Sequence, residues 1–333
     1  MLHTAFLRRW PYIAGQQGKI SSRSIGWIAL TICILAASTY NTFAKILTGA
    51  ISPLTLFFVS ELLTGFFVSF SYGFMPVIRS VLRVKKKYVL PLICIGLTNG
   101  TIAPLLLFPG LNMSTAVNAS LFGNTEMIFL IVLAVVILRE PFRREHALSV
   151  CTMIAGVLII ALRGFMEGLN FRVGDILLVL SGLSFAVGST IFRKYLHHIE
   201  PQIVLFVRAA VAITCFFLIS PFTRHPLIEE IRAFPAALLP VLLGFGFISR
   251  FLNIFSFYEA LDRLPVTVVS LLNNLTVIIS ITFAWWMLGE PIAWYHAAGG
   301  ILIVLGALVL EVSGTHPAAR QLEQHLRQRN GHR

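Results

Sequence analysis

Charge is scarce in this chain: 12% of its 333 residues are Asp, Glu, Lys or Arg, and the acids number 14. Soluble domains carry roughly 25% charged residues, so a water-exposed globular surface is excluded. Cysteine is equally thin. Cys33, Cys94, Cys151 and Cys215 stand singly in apolar stretches with no C-x-x-C pair, which leaves neither a disulfide framework nor a cysteine zinc site to build. Histidines pair once, at His197-His198, without further ligands at metal-binding spacing, so the sequence calls for no metal and no cofactor. The acids are scattered rather than grouped with a histidine or with a nucleophile and its base, which argues against an integral membrane enzyme.

What the chain has in abundance is apolar: 57% of residues are hydrophobic, with a mean hydropathy of +0.84. A bilayer core of roughly 30 Å needs about 20 apolar residues per helix, and such runs recur about ten times. The first half offers Ile25 to Ala44, Pro53 to Met75, Tyr88 to Phe108, Ser114 to Leu138 and His146 to Leu162. The second offers Val173 to Phe192, Pro201 to Pro221, Ala236 to Phe257, Val266 to Leu288 and Ile292 to Val312.

The two halves repeat one another. Leu138-Arg139-Glu140-Pro141 followed by His146-Ala147 returns as Leu288-Gly289-Glu290-Pro291 followed by His296-Ala297. At the same offset Ser120-Leu121 meets Ser270-Leu271, Asn124 meets Asn274, Ile128 meets Ile278 and Gly156 meets Gly306. Upstream the register shifts slightly, and Pro53 falls on Pro201, Lys45 on Arg193, Thr42 on Thr190 and Gly26 on Gly174. An odd number of spans per copy forces the second to enter the membrane upside down, the inverted-repeat plan of many secondary transporters. The expected fold is therefore all-α and integral to the membrane, with about ten transmembrane helices in two inverted five-helix repeats. The expected division is a cytoplasmic basic leader at 1–24, repeats at 25–163 and 173–312, and a cytoplasmic polar tail at 313–333.

Short loops rich in Lys and Arg stay cytoplasmic. With the N-terminus inside, 19 of the 26 basic residues fall on that side, five on the other (Lys45, Arg163, Arg172, Arg224 and Arg232), and Arg208 and Arg250 lie within spans. Both termini are thus expected in the cytoplasm. The net charge of +12 follows from this topology and from an anionic inner leaflet, so the partner it implies is the lipid bilayer and not nucleic acid. The basic leader lacks the apolar stretch and cleavage site of a signal peptide and is expected to be retained.

Two five-helix units, each closing with a span, a Glu-Pro turn and a glycine-bearing last span, resemble the drug/metabolite transporter superfamily, in particular its EamA-type ten-helix branch. The resemblance runs from about Gly26 to Val312. It implies a multi-pass carrier of the bacterial inner membrane, commonly an exporter of amino acids or other small metabolites, working by alternating access without ATP hydrolysis. Its small-molecule substrate is not fixed by family, and importers occur among related carriers. A vitamin or nucleotide-like solute stacking on Trp285, Trp286 or Phe257 is the alternative to export of a small polar or zwitterionic metabolite. A non-transporting membrane scaffold is a further alternative.

Proline suits the first turn of a helix and an acid suits its free amides, so Pro141 and Pro291 are expected to start the last span of each half with Glu140 and Glu290 facing those amides. This is a structural device. Ionisable residues inside spans carry more functional weight, because burying charge in hydrocarbon is costly unless it meets a partner or a wet cavity. Four qualify: Glu61, Glu126, Arg208 and Arg250. Glu61 and Arg208 stand at nearly equivalent repeat positions, which allows a cross-repeat ion pair. Family members often carry an arginine early in each of these two spans; Arg208 matches that place, while the first half has Ser60 followed by Glu61.

Glu126 shares a helical face with Asn118 and Phe122, and its repeat counterpart is Thr276. Arg250 has Asn253 and Phe257 at helical spacing, and its counterpart is Gly100. Tyr40 and Asn41, Asn99, and Asn273 with Asn274 add polar groups at similar depth. The expectation is that Arg250 attracts a carboxylate, Glu126 faces an amine or accepts a coupling proton, and Tyr40 and the asparagines fix orientation. Small residues at Ala147, Cys151 and Ala155 and at Gly299 and Gly306 form stripes that serve either bundle packing or a homodimer.

Overall fold

The computed structural model describes residues 22–138, 144–162, 172–196, 199–223, 226–264 and 266–312. Most of the expected leader, the whole of the expected tail, the Glu140-Pro141 turn and His197-His198 lie outside them. The first repeat contains α1 (Ser22–Ser38), α2 (Tyr40–Thr48), α3 (Pro53–Tyr72), α4 (Phe74–Leu82), α5 (Lys86–Ile95), α6 (Ala103–Met113), α7 (Ala116–Phe122), α8 (Thr125–Leu138) and α9 (Arg144–Ala161). The second contains α10 (Val173–Ile191), α11 (Pro201–Thr223), α12 (Leu227–Ala233), α13 (Leu239–Gly244), α14 (Asn253–Arg263), α15 (Val266–Asn273), α16 (Leu275–Leu288) and α17 (Trp294–Val312). Among the described residues no strand occurs.

Local chemistry sets the helix ends. The Ser52 hydroxyl accepts from Thr55 N at 3.2 Å and Pro53 occupies the first turn of α3, so a start without a free proline amide is already capped. Gly289 ends α16 with φ of 66°, the left-handed conformation that favours glycine. Inside the spans, hydroxyls such as Ser38, Thr64 and Thr190 donate back to the carbonyl four residues earlier, which satisfies them without water.

Seven helical segments are long and apolar enough to cross a membrane: Arg23–Thr48, Pro53–Tyr72, Lys86–Met113, Ala116–Ile137, Val173–Leu196, Gln202–Phe222 and Ala236–Phe257. Three shorter apolar helices, His146–Ala161, Leu275–Leu288 and Trp294–Val309, stand where the fifth, ninth and tenth spans were expected. Among the described residues, length and composition alone thus give seven crossings. The ninth is divided at Asn274 into α15 and α16. Large apolar side chains face outward, Phe222 at 90% exposure and Phe70 at 79%, as a lipid-facing surface requires. The chain is a multi-pass membrane protein.

Repeat-equivalent helices pack on one another reciprocally. Gly156 of α9 lies against Gly299 and Ile303 of α17, and Gly306 of α17 lies against Ser149 and Met153 of α9. These are the same pair of contacts read from either copy, and they run antiparallel. Close approach is obligatory here, since a Cβ at Gly156 would stand 2.5 Å from the Gly299 carbonyl oxygen. The Ser149 hydroxyl adds a 2.7 Å bond to Gly306 O. The same exchange recurs deeper in the bundle, where Gly96 packs on Val211 and Gly246 on Leu63.

Lys45, placed by sequence in a loop, lies in α2 as part of a helix running to Thr48. Of the small-residue stripes, Gly299 and Gly306 are consumed by packing within the bundle, whereas Cys151 and Ala155 are exposed.

Candidate functional site: a buried charge cluster at the repeat boundary

Regular winding fails in the middle of several spans. The third has a π-helical segment at Gly96–Ile102 between α5 and α6, and the eighth has its equivalent at Phe245–Leu252 between α13 and α14. The fourth breaks at Gly123-Asn124 between α7 and α8, and the ninth at Asn274. The first changes course at Thr39, between α1 and α2. Irregular backbone at membrane depth is tolerated where protein or a wet cavity surrounds it, and discontinuous spans commonly build transporter sites.

At this level three charged side chains meet. Glu61 of α3 is fully buried and its Oε1 accepts from Arg250 Nη2 and from Arg208 Nη2, the latter at 3.5 Å. Arg250 Nη1 donates to Ser60 Oγ at 3.0 Å. The expected cross-repeat pair of Glu61 with Arg208 is present, but the closer partner is Arg250. A glutamate eight residues from Pro53 stands about 12 Å along its helix, near the middle of the span. Tyr40 lies within electrostatic reach of all three groups, its ring 5.1 Å from that of Phe245. The Thr39 and Ser249 hydroxyls bond at 2.7 Å and tie the kink of the first span to the π segment that carries Arg250.

Two atoms of this cluster, Glu61 Oε2 and Arg208 Nε, are buried without a hydrogen-bond partner among the described residues. Such groups are rare and costly in folded proteins, and they recur at functional sites. Counting two guanidiniums and one carboxylate, the cluster holds one positive charge in excess.

The π winding changes what spacing predicted. A turn of 3.6 residues would place Asn253 beside Arg250, yet Asn253 donates to Ser249 O at 3.4 Å and accepts from Cys33 Sγ at 3.4 Å, facing the first span. Glu126 lies elsewhere, on the α8 and α10 interface, where its Oε1 accepts from Ser189 Oγ at 2.9 Å. The break at Gly123-Asn124 separates it from the turn carrying Asn118. Asn118 donates to Asp175 Oδ1 at 3.2 Å and to Ser114 Oγ at 3.3 Å.

Asn41 donates to Ser120 Oγ at 3.1 Å, and Ser120 bonds Ser280 at 2.6 Å, so the first, fourth and ninth spans are joined by one polar chain. With its side-chain O and N exchanged, the orientation its surroundings favour, Asn99 donates to the Ser184 and Phe185 carbonyls, both at 3.3 Å. Thr276 donates to Asn273 Oδ1 at 3.5 Å, and Asn274 precedes α16 at the break.

A second polar network was not anticipated from sequence. Between Met113 and Ala116 one helix ends and another begins, leaving carbonyls on one side and amides on the other. Lys45 Nζ donates to Leu111 O at 2.6 Å, Asn112 O at 3.1 Å and Ser114 O at 2.6 Å. Glu290, from the other repeat, accepts from Ala116 N and Val117 N, both at 2.9 Å. Ser114 Oγ donates to Asp175 Oδ1 at 2.5 Å.

The expectation for the second Glu-Pro turn is thereby corrected. Pro291 does not start the last span, because α17 begins at Trp294. The amide of Ala293 is held by Nδ1 of His296 at 3.0 Å, which leaves Glu290 free to serve the start of α7 instead. A signal for the charge cluster was nonetheless in the sequence. Ser60 is the repeat counterpart of Arg208, and Gly100 of Arg250; a contact between one pair of positions implies its mirror image between the other.

An uncharacterized transporter of Methanothermobacter thermautotrophicus is 26% identical over 312 residues, covering 90% of each chain. One of Archaeoglobus fulgidus is 27% identical over 285 residues, covering 84% of this chain and 94% of that protein. The uncharacterized transporter YcxC of Bacillus subtilis is 23% identical over 257 residues, covering 73% and 80%. A solved crystal structure at 22% identity superposes with a TM-score of 0.55, covering 90% of this chain and 99% of its own, which supports the fold. The sequence pattern of the EamA-like transporter family matches twice, over residues 24–162 and 172–312. With both halves of its duplication matched, the chain belongs to the EamA-like transporter family of the drug/metabolite transporter superfamily.

Proposed function

We propose that this protein is a secondary carrier that exports a small polar metabolite bearing a carboxylate, of the amino-acid or amino-acid-derived kind, by alternating access. The observation that supports this reading is the Arg208–Glu61–Arg250 cluster, buried at the boundary between the repeats. Guanidinium groups bind carboxylates with directional, charge-assisted hydrogen bonds, and cations at mid-membrane are retained where they meet a substrate or a partner. Because Glu61 comes from one repeat and both arginines from the other, rearrangement of one repeat against the other changes this contact directly. The protein sits in the inner membrane as ten spans in two inverted repeats with both termini in the cytoplasm. Glu126, away from this cluster, is the candidate for a coupling proton.

The test is retention of labelled metabolites by cells with and without the protein, followed by counterflow in proteoliposomes at two external pH values. Loss of a carboxylate-bearing solute from expressing cells, abolished in Arg250→Gln, is the expected result. Accumulation of the solute reverses the direction, and absence of counterflow for every solute in proteoliposomes removes the carrier reading.

A further inference from the structure

The cluster has an unbalanced charge, and that imbalance narrows the substrate. The groups that face Glu61 are Arg208 from α11, Arg250 from the eighth-span π segment and Tyr40 from α2. The adjoining α6 carries no ionisable side chain. Two guanidiniums against one carboxylate leave one positive charge, and the two other acids placed in neighbouring interfaces are engaged away from it, Glu126 with Ser189 and Asp175 with Ser114 and Asn118.

We infer that the solute bound here carries a net charge of minus one: a carboxylate with no free ammonium and with a neutral donor, hydroxyl or amide, close to it. The inference rests on the carrier reading above. An excess charge in a low-dielectric interior is costly, and a monoanion brings the occupied site to neutrality. A zwitterion leaves the excess in place and sets an ammonium among two guanidiniums whose one counter-ion is already shared. The two unpartnered atoms fit the same class. Arg208 Nε is a donor suited to the solute carboxylate, and Glu61 Oε2 is an acceptor suited to a hydroxyl or amide hydrogen. Hydroxy acids and N-acylated amino acids have both groups; neutral amino acids lack the charge, and acidic ones keep an ammonium.

A consequence for energetics follows from the count. The occupied site is neutral and the empty one carries one positive charge, so the return of the empty carrier moves that charge inward. An interior-negative potential favours this step, at about 2.3 kcal/mol per charge for each 100 mV. Potential by itself then suffices to drive export of the anion, and a proton carried through Glu126 would add to that drive.

The full-length protein in proteoliposomes distinguishes the cases. The probes are a set of amino acids with neutral side chains, their N-acetyl derivatives and the matching 2-hydroxy acids, each assayed by counterflow and under potassium diffusion potentials of either sign. Counterflow confined to the monoanionic members, by about tenfold or more over the parent amino acids, with net flux that reverses when the potential is reversed, is expected. Arg208→Gln leaves the Glu61 and Arg250 pair intact and the cluster neutral. It is expected to lose dependence on potential and to move preference towards the amino acids, with its melting temperature reporting that the fold is kept. Equal or better transport of zwitterions by the unaltered protein overturns the inference while leaving the carrier reading in place, as does anion flux indifferent to potential. Flux of none of the probes tells against the carrier reading itself.

Discussion

Arg250 donates to Ser60 across the repeat boundary at 3.0 Å, and at the duplicated position Arg208 lies over Gly100. The sequence alignment of the halves pairs Ser60 with Arg208 and Gly100 with Arg250, so these are two copies of one contact. Each needs a long side chain on one partner and a minimal one on the other. In both copies the long side chain belongs to the second repeat. The scaffold is symmetric and its charge is not: both guanidiniums come from one half and the carboxylate from the other. An acid at position 61, beside the serine, then answers both cations with one oxygen.

Gly100 should tolerate no side chain. A Cβ there would lie 2.7 Å from Arg208 Cγ and 2.9 Å from the Arg208 carbonyl oxygen, and the second of these is backbone that cannot swing aside. Gly100→Ala is expected to lower stability by about 1–3 kcal/mol, the usual range for overpacking, and to reduce transport by displacing Arg208. Thermal unfolding in detergent checks the first and counterflow the second. Because the Arg208 backbone stays in place, Gly100→Ala combined with Arg208→Ala should recover only part of the lost stability.

Glu61→Gln should destabilise more than any single arginine change. It leaves two guanidiniums buried side by side, and breaking a buried pair from one side costs about 3–5 kcal/mol. Adding Arg208→Gln removes one of the stranded charges, so the double variant is expected to be more stable than Glu61→Gln alone. A double-mutant cycle on melting temperature measures this; strictly additive losses would show that the three groups do not share an electrostatic balance.

The duplication, the membrane medium and the presence of Glu61, Arg208 and Arg250 within spans were all legible in the sequence, because repeats and rare intramembrane charges are local signals. The partnership of Arg250 with Glu61 was not. It depends on the π winding over Phe245–Leu252, which shifts side chains off the 3.6-residue face, and nothing in that segment announces the wider turn. Glu126 was grouped with Asn118 for the converse reason. Regular spacing was carried through Gly123-Asn124, where the helix in fact breaks. Glu290 was assigned to its own helix because local capping rules see only neighbours in sequence, whereas the amides it holds are those of Ala116 and Val117 in the other repeat.

The break between Met113 and Ala116 is held by opposite charges from the two repeats, Lys45 on the carbonyls and Glu290 on the amides. Lys45 and Glu290 also act on one another electrostatically. Lys45→Met and Glu290→Gln should each cost about 1–3 kcal/mol through unsatisfied backbone groups. The pair should fall short of the sum by about 0.5 kcal/mol or more, since each variant loosens the turn the other group holds. Hydrogen exchange at the Ala116 and Val117 amides is the direct readout, and it should accelerate in Glu290→Gln.

The remaining question is whether the glycine stripe joins two helices or two molecules. Gly156 meets the Gly299 carbonyl and Ile303 within the same chain, whereas Ala155, its neighbour, is exposed. Gly156→Ala should therefore destabilise the monomeric fold by about 1–3 kcal/mol, while Ala155→Leu should leave stability within about 0.5 kcal/mol. Mass measurement of the protein in detergent or nanodiscs separates the two uses of the stripe. If Gly156→Ala changes oligomeric mass without lowering the melting temperature, its role is between molecules. If Ala155→Leu alone shifts the mass, the exposed row of α9 is a homodimer surface and the glycines beside it remain internal.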